Sequence, residues 1–196
     1  MVLKNLHYGL FTILMTTILN CLKIDEITLS PLTINQKNIY KEISTDSRIL
    51  EQNISNETYK ENTKNFDAIF KYKLNQQNPL IKIYCIFVND KCVGYVGFFN
   101  DNKSPKTVFI YYAIHVKEWG KGIATLAVKK FLQQMLPILK ENSINLIKAT
   151  VKIKNIGSQK VLLKNKFKPI KEKNGELVME YIDNQSVVYT FILPIK

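Results

Sequence analysis

The sequence predicts an α/β (α+β) domain in which a mixed, mostly antiparallel central sheet is flanked by helices. Three observations carry this. Ile81–Val88 and Cys92–Phe99 are rich in β-branched and aromatic residues and are separated only by Asn89-Asp90-Lys91, the pattern of a hairpin. Thr107–Val116 adds a third long strand after a polar turn, which makes an antiparallel meander. Ile123, Leu126, Ala127, Phe131, Leu132, Met135 and Leu136 then recur at helical spacing before another strand-like run, Ile144–Ile153. A strand that follows a helical crossover can lie parallel to the strand before it.

The elements follow in order. The 196 residues suffice for one domain with a proper core. Tyr8–Leu22 is an apolar run, shorter than the 18 or so residues a membrane span needs, and Asn20-Cys21 makes a poor cleavage site. Residues 1–21 are therefore expected to form an apolar extension, a helix or a weak anchor, ahead of a domain over 22–196. Ile24–Leu32 reads as the first strand. Ile39, Ile43 and Ile49 mark a helix, and Asn53–Lys73 a second, weakly amphipathic one. Gly94 and Gly97 within the return strand suggest a bulge or a close backbone approach. Pro137 and Asn142 are expected to help end the long helix. Asn155–Lys164 is a short helix, and Phe167–Glu172, Leu177–Asp183 and Val187–Pro194 read as closing strands.

Composition narrows the setting. Lys and Arg total 28 against 16 Asp and Glu, a net charge of +12. Such a surplus suits anionic partners (nucleotide phosphates, RNA, an acidic protein or a membrane surface), or it reflects a general bias toward Lys, Asn and Ile. Cys21, Cys85 and Cys92 lack the number and spacing of a disulfide framework or a zinc site. No metal is expected, and a reducing, cytoplasmic compartment fits.

The chemistry concentrates in His115-Val116-Lys117-Glu118-Trp119-Gly120-Lys121-Gly122-Ile123-Ala124-Thr125. A strand ends, two glycines follow and a long helix starts. The first turn of a helix has free N–H groups and a positive dipole end, which makes it an anion site. Gly120 and Gly122 let a phosphate approach the backbone closely. Lys117 and Lys121 add positive charge. The spacing fits neither a Walker loop nor a dinucleotide fingerprint. A plain tight turn is the alternative on spacing alone.

Lys117-x-x-Gly120-x-Gly122-Ile123-Ala124 resembles the Gln/Arg-x-x-Gly-x-Gly/Ala signature of the GNAT superfamily of N-acetyltransferases. Trp119–Ala124 is similar to the Trp-Gly-Lys-Gly-Ile-Ala of its RimJ/RimL-type branch. Asn155-x-x-Ser158 with Val161-Leu162, Lys164 and Phe167, the strand Ile27–Leu32 and the strand Val93–Gly97 also resemble the branch, in family order over about residues 22–183. Four positions depart from it. Lys117 replaces Gln or Arg, Ser30 replaces Arg, and Lys166 stands where Gly usually precedes the Phe. Leu162 stands where many members have a Tyr general acid.

The resemblance implies an acetyl-CoA-dependent N-acetyltransferase domain over 22–196, with a GNAT-like sheet. In it Tyr111–Val116 and Leu146–Ile153 form a parallel pair that splays into a V. The pantetheine arm of coenzyme A would lie along Ile114–Val116, and its pyrophosphate on the amides of Lys117, Glu118, Trp119, Gly120, Lys121, Gly122, Ile123, Ala124 and Thr125. Asn155 would bond the arm, and an N–H near Val116 would polarise the acetyl carbonyl. Ser158 is the candidate proton donor to the thiolate, with helix capping as its other reading. His115 is the candidate base. Tyr111, Tyr112 and Glu118 are weaker candidates, and Trp119 reads as a packing anchor. The acceptor is a primary amine, a protein N-terminus or a small molecule, which no motif specifies. A homodimer is also consistent with the resemblance. Two rivals stay open: a CoA-binding module with weak or no catalysis, and a membrane-associated protein led by Tyr8–Leu22.

Overall fold

The computed structural model describes residues 26–53, 63–101, 104–173 and 176–181. The apolar run Tyr8–Leu22, Cys21 and the expected strand Val187–Pro194 lie outside them. Seven strands form one sheet in the order β1-β2-β3-β4-β5-β7-β6. They are β1 (Ile27–Pro31), β2 (Ile83–Val88), β3 (Lys91–Asp101), β4 (Ser104–Ile114), β5 (Leu146–Lys152), β6 (Phe167–Lys173) and β7 (Glu176–Tyr181). The described helices are α1 (Lys37–Thr45), α2 (Ser47–Asn53), α3 (Phe66–Leu74), α4 (Ile123–Glu141) and α5 (Ile156–Lys164).

The helical stretch that begins at Lys37 breaks at Asp46. That residue is extended, with ψ 122°, and its carboxylate accepts from the Arg48 amide at 2.9 Å, starting α2 afresh. The β2–β3 turn places Asn89 and Asp90 at φ 47° and 60°, the left-handed pair that a tight hairpin needs.

The glycine expectation in β3 holds. Ile86 pairs with Gly94 but Phe87 pairs with Cys92, so Val93 is an extra residue, a β-bulge. A Cβ on Gly94 would come within 2.5 Å of the Ala113 carbonyl oxygen, so only glycine lets β3 lie this close to β4. The bulge resets the alternation of faces. Val93, Val96 and Phe98 all reach the core under α4, while Cys92 and Tyr95 face α1 and α3.

Two apolar layers result. The larger packs α4 onto one sheet face, with Phe131 against Phe98 at 4.8 Å and against Tyr84 at 5.6 Å between ring centroids. Such a fully buried ring is worth about 3–5 kcal/mol against truncation to alanine. The smaller layer, on the other face, holds Tyr40, Phe66, Phe70, Ile83 and Cys85.

Pro137 does not help end α4, which runs through it to Glu141. The carbonyl left without its usual donor belongs to Gln133, which is exposed, so water can take that bond. The helix ends instead in a Schellman motif. Ser143 is left-handed at φ 57°, its N–H donates to Lys140 O at 3.0 Å, and the Ile144 N–H donates to Leu139 O at 2.9 Å.

The parallel contact sits lower than expected. Only Thr107–Leu146, Val108–Ile147 and Phe109–Lys148 are in register. Beyond Phe109, β4 stays with β3 and β5 follows β7, so Tyr111–Ile114 already stands in the open part of the V.

Candidate active site

The loop after β4 is built by local hydrogen bonds. His115 caps a short 3-10 turn, Val116–Glu118, with Nδ1 accepting from the Lys117 amide at 3.2 Å. The Trp119 indole N–H donates to the Ile114 carbonyl at 2.8 Å and folds the loop back onto the strand end. Trp119 is 41% exposed, so this bond anchors it more than burial does.

Gly120 and Gly122 both have φ +79°, and a Cβ on either would meet nothing within 4 Å. Glycine is thus required there by backbone conformation, and the space beside it is open. The helix starts at Ile123, just after the second glycine. Gly122 is its N-cap, with no side chain to cap it. The N–H groups of Ile123, Ala124 and Thr125 have no acceptor within the helix. The first turn carries no acidic residue. Glu118 is held by Lys121 at 2.8 Å, and that bond keeps its carboxyl below the usual range.

These amides open onto a cleft of about 460 Å³ between the loop, the end of β4 and α5. Of the residues expected at the site, Ile114, Glu118, Trp119, Gly120, Gly122, Ile123, Ala124, Thr125, Asn155 and Ser158 line it. His115, Val116, Lys117 and Lys121 do not border it. The far wall carries Lys154, Lys160 and Lys164. The spacing of Lys160 and Lys164, one turn apart on a helix, was the available signal for that cationic wall.

Asn155 is buried and caps α5, its Oδ1 accepting from the Ser158 amide at 3.0 Å. Its Nδ2 donates to Gln52 O at 3.4 Å, which ties α5 to α2. Capping thus falls to Asn155, and the Ser158 hydroxyl is left for other work.

A second cavity, also about 460 Å³, lies against α1, α3 and β4. Ile49, Gln52, Tyr112, Ala113 and Ser158 line both cavities, so the two meet there. At that junction the Tyr112 hydroxyl stands 2.8 Å from Ser158 Oγ and donates to Ser158 O at 3.2 Å. Burial pushes the Tyr112 phenol far above its ordinary range, more than the Ser158 hydrogen bond lowers it, so it stays protonated at neutral pH. Leu162 is buried in the wall of the second cavity.

His115 is engaged at both ring nitrogens. With Nδ1 accepting, its proton sits on Nε2, 2.8 Å from Glu42 of α1, and this bond draws the Glu42 carboxyl below its usual range. Tyr111 lines the second cavity, beneath the Lys73 ammonium. Among the described residues no group of three or more His, Cys, Asp or Glu could hold a metal, and no helix is long and apolar enough to cross a membrane.

Uncapped helix amides and a lysine wall thus face one cleft, and a hydroxyl pair stands where it meets a second chamber. Residues 26–168 match the family described as "Acetyltransferase (GNAT) domain", and the chain belongs to that family, as an acetyl-CoA-dependent N-acetyltransferase domain. Its fold is that of RimJ from Mycobacterium smegmatis in complex with CoA-disulfide (19% identity, 79% of this chain and 80% of that one covered, TM-score 0.63). It is also that of the microcin C7 self-immunity acetyltransferase MccE in complex with acetyl-CoA and AMP (20% identity, 84% and 97% covered, TM-score 0.62). A spermidine N-acetyltransferase SpeG chimera from Vibrio cholerae and hSSAT is a third neighbour (14% identity, 80% and 95% covered, TM-score 0.63). No curated protein matches the chain in sequence.

Proposed function

We propose that the chain acetylates a primary amine that enters through the second cavity, with acetyl-CoA held in the first. The carrying observation is that the two cavities meet at Tyr112 and Ser158. The uncapped amides of Ile123–Thr125 suit the pyrophosphate, and Lys154, Lys160 and Lys164 suit its remaining charge. Asn155 and the open edge of β4 suit the pantetheine arm. Bound acetyl-CoA supplies an acyl carbon already activated as a thioester.

The chain's own residues then have separate tasks. The V holds the acyl group at the junction and keeps water off it. Tyr112 Oη and Ser158 Oγ hold a proton there, available to the departing thiolate. Tyr112, reaching from the strand, takes the place of the tyrosine that Leu162 replaces. This favours catalysis over a module that only binds CoA. His115 acts as a positioning residue that ties the loop to α1 through Glu42. An α-amino acceptor with a pKa of about 8 is roughly one-tenth neutral at pH 7, so it needs no dedicated base.

The same reading places the chain in the RimJ/RimL-type branch, on the strength of the Trp119–Ala124 loop and the Asn155-x-x-Ser158 helix. It takes 22–196 as the catalytic domain, with 1–21 appended, in a cytoplasmic setting. A protein N-terminus or a small molecule serves as acceptor. The +12 charge suits an anionic partner beyond CoA, and a homodimer belongs to the same branch-level expectation.

The test pairs binding with turnover. Acetyl-CoA should raise the melting temperature in a concentration-dependent way. Tyr112→Phe and Ser158→Ala should keep that shift while kcat, read as thiol release with an amine panel, falls on the order of a hundredfold. Because burial raises the Tyr112 pKa, the donor stays protonated, and its loss should not limit kcat below about pH 10. Wild-type kcat in both variants would remove the hydroxyl pair from the mechanism.

A further inference from the structure

The second cavity has a chemical character that bears on the acceptor, and the following rests on the acetyltransferase reading above. Its walls are aromatic. Tyr40 packs on Tyr95 at 4.7 Å, Tyr95 on Tyr111 at 6.3 Å and Phe99 on Tyr111 at 6.0 Å, centroid to centroid. Charged side chains are few there: Lys73, Lys152 and Glu176. Lys152 sits opposite Glu176 across the β5–β7 ladder, and its Nζ donates to the Glu51 carbonyl at 3.1 Å, so it is already engaged.

Lys73 stands apart. It is in the last turn of α3, its Nζ lies 5.2 Å from the centre of the Tyr111 ring, and it makes no ion pair among the described residues. Burial pushes its pKa down, and no carboxylate acts against that shift. A partly buried ammonium without a counter-ion is a standing cost, which an incoming anion removes. Aromatic walls also attract cations, but Lys73 already covers the face of Tyr111. A polyamine would bring further positive charge beside Lys73, with Glu176 as the cavity's one carboxylate among the described residues.

We infer that the acceptor is an amine on a flat aromatic or apolar body with an anionic group, carboxylate or phosphate, at its far end. The anion pairs with Lys73, the body lies between the tyrosines, and the amine reaches the Tyr112–Ser158 junction. In the transfer an N–C bond forms as the C–S bond breaks. The thiolate takes a proton from the hydroxyl pair, and the amine's extra proton passes through water in the cavity to restore it, so no net proton is left on the pair. Lys73 touches only the acceptor and is a specificity-determining residue.

The experiment measures kcat and KM by thiol release with the full chain and four probes: benzylamine, 4-(aminomethyl)benzoate, 4-(aminomethyl)phenyl phosphate and spermidine. At least one anionic probe should exceed benzylamine about tenfold or more in kcat/KM, with spermidine the poorest. Which anionic probe leads distinguishes carboxylate from phosphate. Lys73→Met should erase that advantage through KM, Lys73→Arg should restore most of it, and Lys73→Glu should move preference toward spermidine. Melting curves with acetyl-CoA confirm that each variant is folded, and Lys73→Arg supplies the comparison if Lys73→Met does not fold. A preference for benzylamine or spermidine in the wild type overturns the inference alone, as does an unchanged probe ratio in Lys73→Met and Lys73→Glu. Turnover of none of the four also overturns it, and acetyl-CoA binding measured alongside decides whether the donor site falls with it.

Discussion

The two helices that face each other across the first cleft begin in opposite ways. α5 starts with a buried asparagine that satisfies the Ser158 amide and reaches across to Gln52. α4 starts with a glycine, has no side-chain cap and presents bare amides to an open space. The 19-residue α4 is anchored by Val128, Phe131, Leu132 and Met135 in the core, so it can leave its first turn unsatisfied. The nine-residue α5 buries little beyond Leu162 and depends on its cap. Long helices held by packing can lend their ends to ligands; short ones need theirs closed.

That contrast can be broken from either side. Gly122→Asp is expected to have the largest effect. It sets a carboxylate beside the bare amides, and aspartate tolerates left-handed backbone better than most residues. Acetyl-CoA affinity should fall at least a hundredfold, roughly 3 kcal/mol, while the strain of a side chain at φ +79° costs no more than about 1 kcal/mol of stability. Affinity unchanged by calorimetry would move the phosphates elsewhere. Asn155→Ala comes next, with the reverse balance: about 1 kcal/mol of stability lost, a drop of 2–4 °C or so in melting temperature, and a smaller loss of affinity. An affinity loss as large as that of Gly122→Asp would mean that Asn155 serves the ligand before the helix. The smallest effect concerns the other end of α5. Lys166 holds φ 67°, the left-handed position where a glycine would be unstrained. Lys166→Gly should raise stability by up to about 1 kcal/mol in thermal melts without altering turnover.

What could be read beforehand was mostly local. The Gly120/Gly122 loop announces itself because a strand, two glycines and an amphipathic stripe are contiguous. The hairpin and the bulge-bearing glycines are legible for the same reason. The unusual helix end before Phe167 was visible as a missing glycine, and the chain meets it by forcing a lysine into the left-handed region. Tyr112 was legible only as a weak candidate base, not as a proton donor paired with Ser158. It lies in an aromatic strand where any tyrosine looks like sheet surface, and its partner Ser158 is 46 positions away. Lys73 was hidden differently, since a lysine in the last turn of a helix already has a sufficient reason in the helix dipole. His115 has the residue type of a base, but its two nitrogens meet the Lys117 amide and Glu42 from a distant helix, which no local pattern announces. Pro137 misled because a proline is tolerated where the carbonyl it strands faces water.

The short parallel ladder has a mechanical side. Four strands lie on one side of it and three on the other, and three paired positions with the Asn145 N–H to Lys106 O bond stitch the halves together. The sheet behaves as two plates on a narrow seam, with α4 as a strut across the back. Anything seated in the gap rests on both plates and stiffens the seam. Amides of Val108, Phe109 and Ile147 are therefore where hydrogen exchange would slow most when the cleft fills.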